Sequence, residues 1–323
     1  MIRFCLIAMT LTFTCFSQQE IVVWGGSQGT QEYGINEVPD GYNFVQAVSA
    51  TERILGLTDT GEVVCWGSNE QWHCFAPYNT TFSFIDANYR VAVGLTDDGT
   101  PFVWGNPGNQ YGLNNVPDAK FSTIAVGNDH IIALKNDGQV IGWGYNNYGQ
   151  CDPPEGELFK AITAGENTSF GIRLDGSIVG WGQSGDDLNS IPSTTSAIQV
   201  SAGDSHCLAL LEDGTAIGWG DNSYYKATVP PGQFFTQIEA NSQQSAGLTP
   251  DGRILIWGRN QNGVMEVPAS SKPYRSVDLS YQVGVALREI EAESNCRSDT
   301  NTDGLVDFLD VITVLNDWGP CSG

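Results

Sequence analysis

The sequence predicts an all-β fold: a seven-bladed β-propeller closed by shared N- and C-terminal strands, followed by a small C-terminal calcium loop–helix module. Three observations carry that expectation. Trp-Gly recurs at Trp24, Trp66, Trp104, Trp143, Trp181, Trp219 and Trp257, at spacings of 42, 38, 39, 38, 38 and 38 residues, and a fixed period of this length marks a repeat architecture. A turn signal precedes six of the seven in constant phase. The two ends of the array are complementary, each holding the half-unit that the other lacks.

Residues 1–17 read as a secretory signal peptide, with Arg3, an apolar run from Phe4 to Phe16 and small Ser17 at the cleavage point. The run is too short to cross a bilayer comfortably, so no membrane span is expected. Cys15 as a lipid-attachment cysteine is the alternative processing. The mature protein is expected to be secreted or at the cell surface, where disulfides persist. Six cysteines remain after cleavage. Cys65 and Cys74 flank one loop and are expected to pair, whereas Cys151 and Cys207 lie in units that are not ring neighbours and are expected to stay apart.

Residues 18–290 form the propeller. Each turn signal lies between two apolar runs: Asp59-Thr60-Gly61, Asp98-Gly99, Asp137-Gly138, Asp175-Gly176, Asp213-Gly214 and Asp251-Gly252. Such a sequence makes a tight hairpin, because glycine supplies and aspartate tolerates positive φ. Ile131-Ile132-Ala133-Leu134 and Val140-Ile141-Gly142-Trp143 are the two strands of one copy. A proline follows each Trp-Gly, from Pro39 to Pro268, and ends the hairpin because it cannot donate to a ladder. Eleven residues before each turn glycine stand Ala50, Asn88, Gly127, Gly165, Gly203 and Asn241, which we take as a left-handed turn position. The first unit opens directly on Ile21-Val22-Val23-Trp24. The last, from Ser276 to Ile290, has the preceding strand and no Trp-Gly. Shared terminal strands would close the ring and remove the exposed edges of an open stack.

The pattern Gly-x-x-His-x-x-Ala-Leu-x-x-Asp-Gly-x-x-x-x-Trp-Gly, clearest at 127–144 and 203–220, resembles the regulator of chromosome condensation repeat. The resemblance covers about residues 20 to 290 and implies four-stranded blades with the shared blade as a clasp. Founding members of that family exchange guanine nucleotides on a small GTPase and bind chromatin. This chain departs from them in being acidic, with an export signal and spacing that leaves no room for an extra functional hairpin. In setting it is also similar to a secreted bacterial propeller that inhibits β-lactamases through loops on one face.

After a linker at 291–298 comes a calcium loop and helix at 299–323. Asp299, Asn301 and Asp303 fill loop positions 1, 3 and 5, with Gly304 at 6, Asp307 at 9 and Asp310 at 12; Leu305 would offer its backbone carbonyl at 7. Calcium takes six to eight oxygens, and alternate side chains of a tight loop can supply them. The segment resembles one repeat of a dockerin module, where a full dockerin has two, and implies attachment to a cell surface or extracellular scaffold. Cys296 and Cys321 bracket it and are expected to close it, since so short a module buries little core.

Asp and Glu number 37 against 14 Lys and Arg, a formal net charge of −23. Nucleic-acid binding needs clustered cations, so no nucleic-acid partner is expected. His130 and His206 share one repeat position whose other occupants are Arg53, Val91, Thr168, Gln244 and Val283. A position that varies so freely reads as structural or channel-lining, not catalytic. The tryptophans read as packing between blades. Insertions and sequence variety concentrate between Trp-Gly and proline, and binding residues sit on variable loops of rigid scaffolds. Those loops carry Tyr33, Trp72, Tyr111, Tyr148, Tyr224 and Tyr225. Aromatics ringed on one face would anchor a protein or glycan ligand. The expected function is therefore an exported, monomeric, non-enzymatic binding propeller. The alternatives are a secreted protein inhibitor of an extracellular enzyme, and a hydrolase or lyase acting at the channel mouth.

Overall fold

The computed structural model describes residues 19–26, 33–68, 74–183, 188, 190–194 and 196–289. One compact unit spans Glu20–Arg288; of a second, Met1–Gln19 with Glu289–Gly323, only Gln19 and Glu289 are among the described residues. The signal segment, the 291–298 linker and the 299–323 module, with Cys296 and Cys321, lie outside them.

Strand β1 (Gln19–Gly25) opens the chain. Six antiparallel sheets follow: β2 (Phe44–Ala50), β3 (Arg53–Thr58) and β4 (Val63–Gly67); β5 (Phe84–Ala87), β6 (Val91–Leu95) and β7 (Pro101–Gly105); β8 (Thr123–Val126), β9 (His130–Leu134) and β10 (Val140–Gly144); β11 (Phe159–Ala164), β12 (Thr168–Arg173) and β13 (Ile178–Gly182); β14 (Ala197–Ala202), β15 (His206–Leu211) and β16 (Ala216–Gly220); β17 (Gln237–Ala240), β18 (Gln244–Leu248) and β19 (Ile254–Gly258). In the seventh sheet β20 (Asp278–Leu279) pairs with β21 (Val283–Glu289), which pairs with β1. Each sheet has three strands among the described residues, not the four that the family resemblance implies. Where a fourth would run, polar side chains fold the chain into a loop: Asn106 bonds both the carbonyl and the N–H of Gln110, and Asn109 accepts from the Asn114 N–H.

The hairpin turns between the second and third strands fall where the Asp and Gly residues place them. Gly99, Gly138, Gly176 and Gly214 all have φ near +80°. The aspartates do not share that conformation. Their carboxylates accept the backbone N–H two residues on, as Asp137 does from Gln139 and Asp213 from Thr215. This is a turn closed by a left-handed glycine, with aspartate as an acceptor.

Every tryptophan of the repeat is buried. Five donate the indole N–H to a carbonyl in the loop of the preceding unit: Trp66 to Ile35, Trp143 to Leu113, Trp181 to Gln150, Trp219 to Leu188 and Trp257 to Lys226, at 2.8–2.9 Å. Trp24 makes the same bond to Val264, 240 residues away, at 2.7 Å. A phenylalanine at or just before the first strand packs near the indole in most units, as Phe159 does on Trp181 at 5.6 Å between centroids. It needs a hole in the middle strand. A Cβ on Gly171 would sit 2.4 Å from Phe159, so glycine there is required by packing.

The position eleven residues before the turn glycine also answers to close approach. Gly127, Gly165 and Gly203 have no left-handed φ; a Cβ on Gly165 would meet the Gly203 carbonyl at 2.6 Å. Where asparagine stands instead, its amide reaches the next unit, Asn241 donating to the Leu279 carbonyl at 2.7 Å. The expected turn chemistry is therefore replaced by contact between neighbouring sheets.

Candidate functional site

Two places in the fold hold chemistry that the packing does not consume: the central channel and the loop end. The first strands of all seven sheets line a channel cavity of about 380 Å³. Side chains bridge several of its seams. Gln46 pairs with both backbone groups of Ile85, and Gln199 does the same with Ile238, extending a ladder from sheet to sheet. Asp278 on β20 accepts from the Ser49 N–H and hydroxyl on β2, at 2.7 and 2.6 Å. Asp86 accepts from the Val126 N–H, and Glu239 from the Ser201 hydroxyl. Burial raises all three carboxyls, Asp86 to about 7, and repulsion from Asp278 adds to Asp86 and Glu239. No lysine, arginine or histidine lines the cavity among the described residues.

The histidines are not channel-lining. His130 and His206 are fully buried between sheets, where Nε2 meets the Ser169 hydroxyl at 2.9 Å and the Ser245 hydroxyl at 2.7 Å. Each serine passes its own proton to a loop carbonyl, Gln150 or Lys226. Burial pushes His130 down to about 4 and His206 to about 3, so both are neutral struts.

The loop end is built by a recurring bond. In six units the chain leaving Trp-Gly returns its N–H to the turn between the first two strands, as in Tyr145 to Asp129, Gln183 to Asn167 and Asp221 to Ser205. Variable loops and inner turns therefore share one end of the molecule. Glycine follows tryptophan because Gly144 has φ +102° and its Cβ would stand 2.7 Å from the Asp129 carbonyl.

Tyr33, Tyr111, Tyr148 and Tyr224 fall at one equivalent position, two residues before the carbonyl that accepts the next indole (Ile35, Leu113, Gln150 and Lys226). They are 44–56 % exposed, and Tyr225 is 76 % exposed. Trp72 lies outside the described residues. Tyr111 and Tyr148 are brought together through Tyr145, at 5.0 and 6.0 Å between centroids, and Arg90 stands over Tyr111 at 5.7 Å. Tyr224 lies apart from that group, with Arg259 over its ring at 5.2 Å. Sequence reasoning missed Tyr145, although it directly follows Trp143-Gly144. It also missed the channel acids, whose signal is one carboxylate inside an otherwise apolar strand, as in Phe84-Ile85-Asp86-Ala87.

Tyr224 and Tyr225 both have φ 61°, and Tyr111 shares that value. Tyr225 stands where Gly34, Gly112, Gly149 and Gly263 occupy other units with φ near +70°. A tyrosine held left-handed costs roughly 1–2 kcal/mol that glycine does not, and such strain concentrates at functional sites.

Cys65 and Cys74 form the expected disulfide, while Cys151 and Cys207 are buried free thiols. The calcium candidates Asp299, Asn301, Asp303, Leu305, Asp307 and Asp310 lie outside the described residues. No described helix is long and apolar enough to cross a membrane.

With this geometry in place, the comparisons show RCC1-like repeats on a propeller fold. The regulator of chromosome condensation (RCC1) repeat profile matches residues 121–150 and 197–226. The guanine nucleotide exchange factor SRM1 of Saccharomyces cerevisiae is 29% identical over 165 residues, covering 46% of this chain and 29% of the relative. A Caenorhabditis elegans homolog of the X-linked retinitis pigmentosa GTPase regulator is 36% identical over 89 residues, 21% of this chain and 6% of that one. The chain thus spans less than a third of the curated relatives it matches. Among solved structures, Prp20p from Saccharomyces cerevisiae superposes with a TM-score of 0.73 at 16% identity, covering 87% of this chain and 94% of that one. The ectodomain of the Arabidopsis thaliana receptor kinase ACR4 gives 0.58 at 22% identity, covering 68% and 81%.

Proposed function

We propose that this chain is an exported, non-catalytic propeller, closed as a seven-membered ring by its terminal sheet, that binds a protein or glycan through its loop end. The 299–323 module would hold calcium and serve attachment or sorting. Closure is supported by Trp24, which repeats across 240 residues the bond that other units make to their immediate predecessor. The observation that carries the binding reading is the set of tyrosines at one equivalent loop position. The repeat tryptophans are buried in every unit, yet these rings stay exposed, and Tyr225 does so at a cost in backbone strain. A protein partner gains support from Prp20p, whose reported binding is to Gsp1p and histones.

The test is affinity capture from surface extract of the source organism, with calcium and with chelator, using the mature chain and the chain ending at Ile290. A partner held by the mature chain and lost on the Tyr148→Ala/Tyr224→Ala variant supports the loop end. Retention by that variant rejects it. Equal capture and localisation with and without the tail rejects attachment through the calcium module.

A further inference from the structure

Resting on the closed-ring reading, we infer that Glu239 and Asp278 make the closing seam of the ring a proton-operated latch. The terminal sheet holds shut while these carboxyls keep a proton, and loosens when both are ionised. Asp86, Glu239 and Asp278 occupy one repeat position, two residues before Asn88, Asn241 and Ser280, and so stand in one layer of the channel. The other four sheets place uncharged residues there, from Val48 to Ser201. Glu239 and Asp278 belong to neighbouring sheets, whose seam Gln237 bridges by bonding both backbone groups of Val277.

In three sheets the side chain of this layer ties its sheet to the next. Asp86 accepts the Val126 N–H at 3.0 Å and Ser201 the Ala240 N–H at 2.8 Å, 40 and 39 residues on. Asp278 makes the same bond to the Ser49 N–H across 229 residues, at 2.7 Å, and takes the Ser49 hydroxyl at 2.6 Å. It thus joins a C-terminal strand to an N-terminal one. Both Ser49 bonds end on Oδ2, so a proton on Oδ1 breaks neither. The strand that carries Asp278 is short: β20 has two residues, where β2 has seven and β5 has four.

The layer has no counter-charge among the described residues. The seven first strands carry Asp86, Glu239, Asp278 and one cation, Lys160, which is exposed and lies outside the cavity lining. Beside Asp278, β2 presents Ser49, β17 presents Glu239, and β21 pairs through Val285 and Gly284. Arg288, farther along β21, is committed to Glu20 of β1. Beside Glu239, β14 presents the Ser201 hydroxyl and β18 pairs through Ala246. Burial raises both carboxyls, and repulsion from Asp278 and then Asp86 raises Glu239 further. Stability given by a raised carboxyl is present at low pH and is lost as rising pH ionises it. The terminal sheet is where that loss opens the ring, because β1 and β21 come from opposite ends of the chain and no hairpin joins them.

The test is hydrogen exchange of the full mature chain, read by mass spectrometry at pH 5.5 and 8.5, with each rate divided by its unfolded-chain rate at that pH. Protection of residues 276–289 should fall about tenfold more than that of 168–173 on β12, a tenfold change being about one unit of pKa. Glu239→Gln should abolish the extra fall. Asp278→Asn, whose amide oxygen still accepts both Ser49 bonds, should do the same. Glu212→Gln, which removes an exposed charge elsewhere, should leave it intact. An equal fall in the two segments, an extra fall that survives both channel variants, or its loss in Glu212→Gln would each overturn the latch. If 20–26 and 276–289 stay protected at both pH values, the latch fails and the closed ring stands. If they are unprotected already at pH 5.5, the closed ring fails and the latch with it.

Discussion

Replacing Asp86 with asparagine should remove one proton from the pH dependence of stability. Asp86 sits in the channel, where burial, offset by N–H bonds from Val126 and Ala87 and reinforced by Asp278, carries it from 3.8 to about 7. Three units at 1.36 kcal/mol each is about 4 kcal/mol. Asp86 keeps some contact with channel water, so we take about half, ~2 kcal/mol. The sign follows from linkage. A carboxyl whose folded pKa is raised contributes stability that is present below pH 3.8 and is lost as pH rises through about 7. Glu239 and Asp278, also raised, act in the same direction. His130 and His206 are depressed, so their contribution grows as pH rises toward 6.5 and opposes the acids. The net slope of the wild type is therefore a poor readout, and the difference between variant and wild type is the quantity to measure.

The assay is urea unfolding followed by tryptophan fluorescence from pH 4.5 to 8, with Glu212→Gln as a control for removing one negative charge. D86N should be less stable than wild type at pH 4.5 by about 1 kcal/mol, because its amide cannot accept both N–H bonds. It should be more stable by about 1–2 kcal/mol at pH 8, where the wild type holds a buried charge. The two curves cross between. Parallel curves for D86N and wild type, or a crossing reproduced by Glu212→Gln, would refute the reasoning.

Tyr225→Gly should raise stability by about 1 kcal/mol through relief of the left-handed tyrosine, seen as a higher urea midpoint, and should weaken partner capture. Cys65→Ser/Cys74→Ser opens a loop of nine residues and should lower stability by roughly 2–3 kcal/mol, read by thermal unfolding with and without reductant. Trp143→Phe removes the indole donor to Leu113 and should lower the urea midpoint by at least ~1 kcal/mol equivalent. Calorimetric titration of the full chain with calcium should give one site, abolished by Asp303→Ala; heat unchanged by that substitution would reject the loop ligands.

The fold was legible because repetition separates signal from accident. Seven phased tryptophans announced seven sheets, and five Asp-Gly pairs with Asp59-Thr60-Gly61 located six of their hairpins. What one sequence could not carry was the reason for each mark. Gly165 and Gly171 look alike in sequence, yet one yields to a neighbouring sheet and the other to Phe159 of its own. That each sheet shows three strands among the described residues was also hidden, as the unit in which side-chain bonds of Asn106 and Asn109 fold the stretch into a loop illustrates. Of the candidate site, the tyrosines were visible as variety on loops, but their common register emerged only from the carbonyls that accept the tryptophans. Glu166 and Asp204 were not singled out, because only the packing of adjacent sheets brings turns 38 residues apart to the same cavities.

The two ends of the propeller differ in what their acids have left to offer. At the hairpin end Asp98 is held by Thr96, Thr100 and Lys120, Asp175 by Ser177, and Asp251 by Thr249 and Arg253. Those bonds lower all three carboxyls, so their charge is already satisfied by the turns that need it. At the loop end Glu166 is raised, with like charges as its neighbours. A partner gains little by meeting a carboxylate whose lone pairs are engaged, and more by meeting one that is not. The net charge of −23 draws cations to the whole molecule, and at both ends a carboxylate already held by a neighbour, as Asp98 is by Lys120 and Asp221 by Lys226, has less to offer an incoming cation.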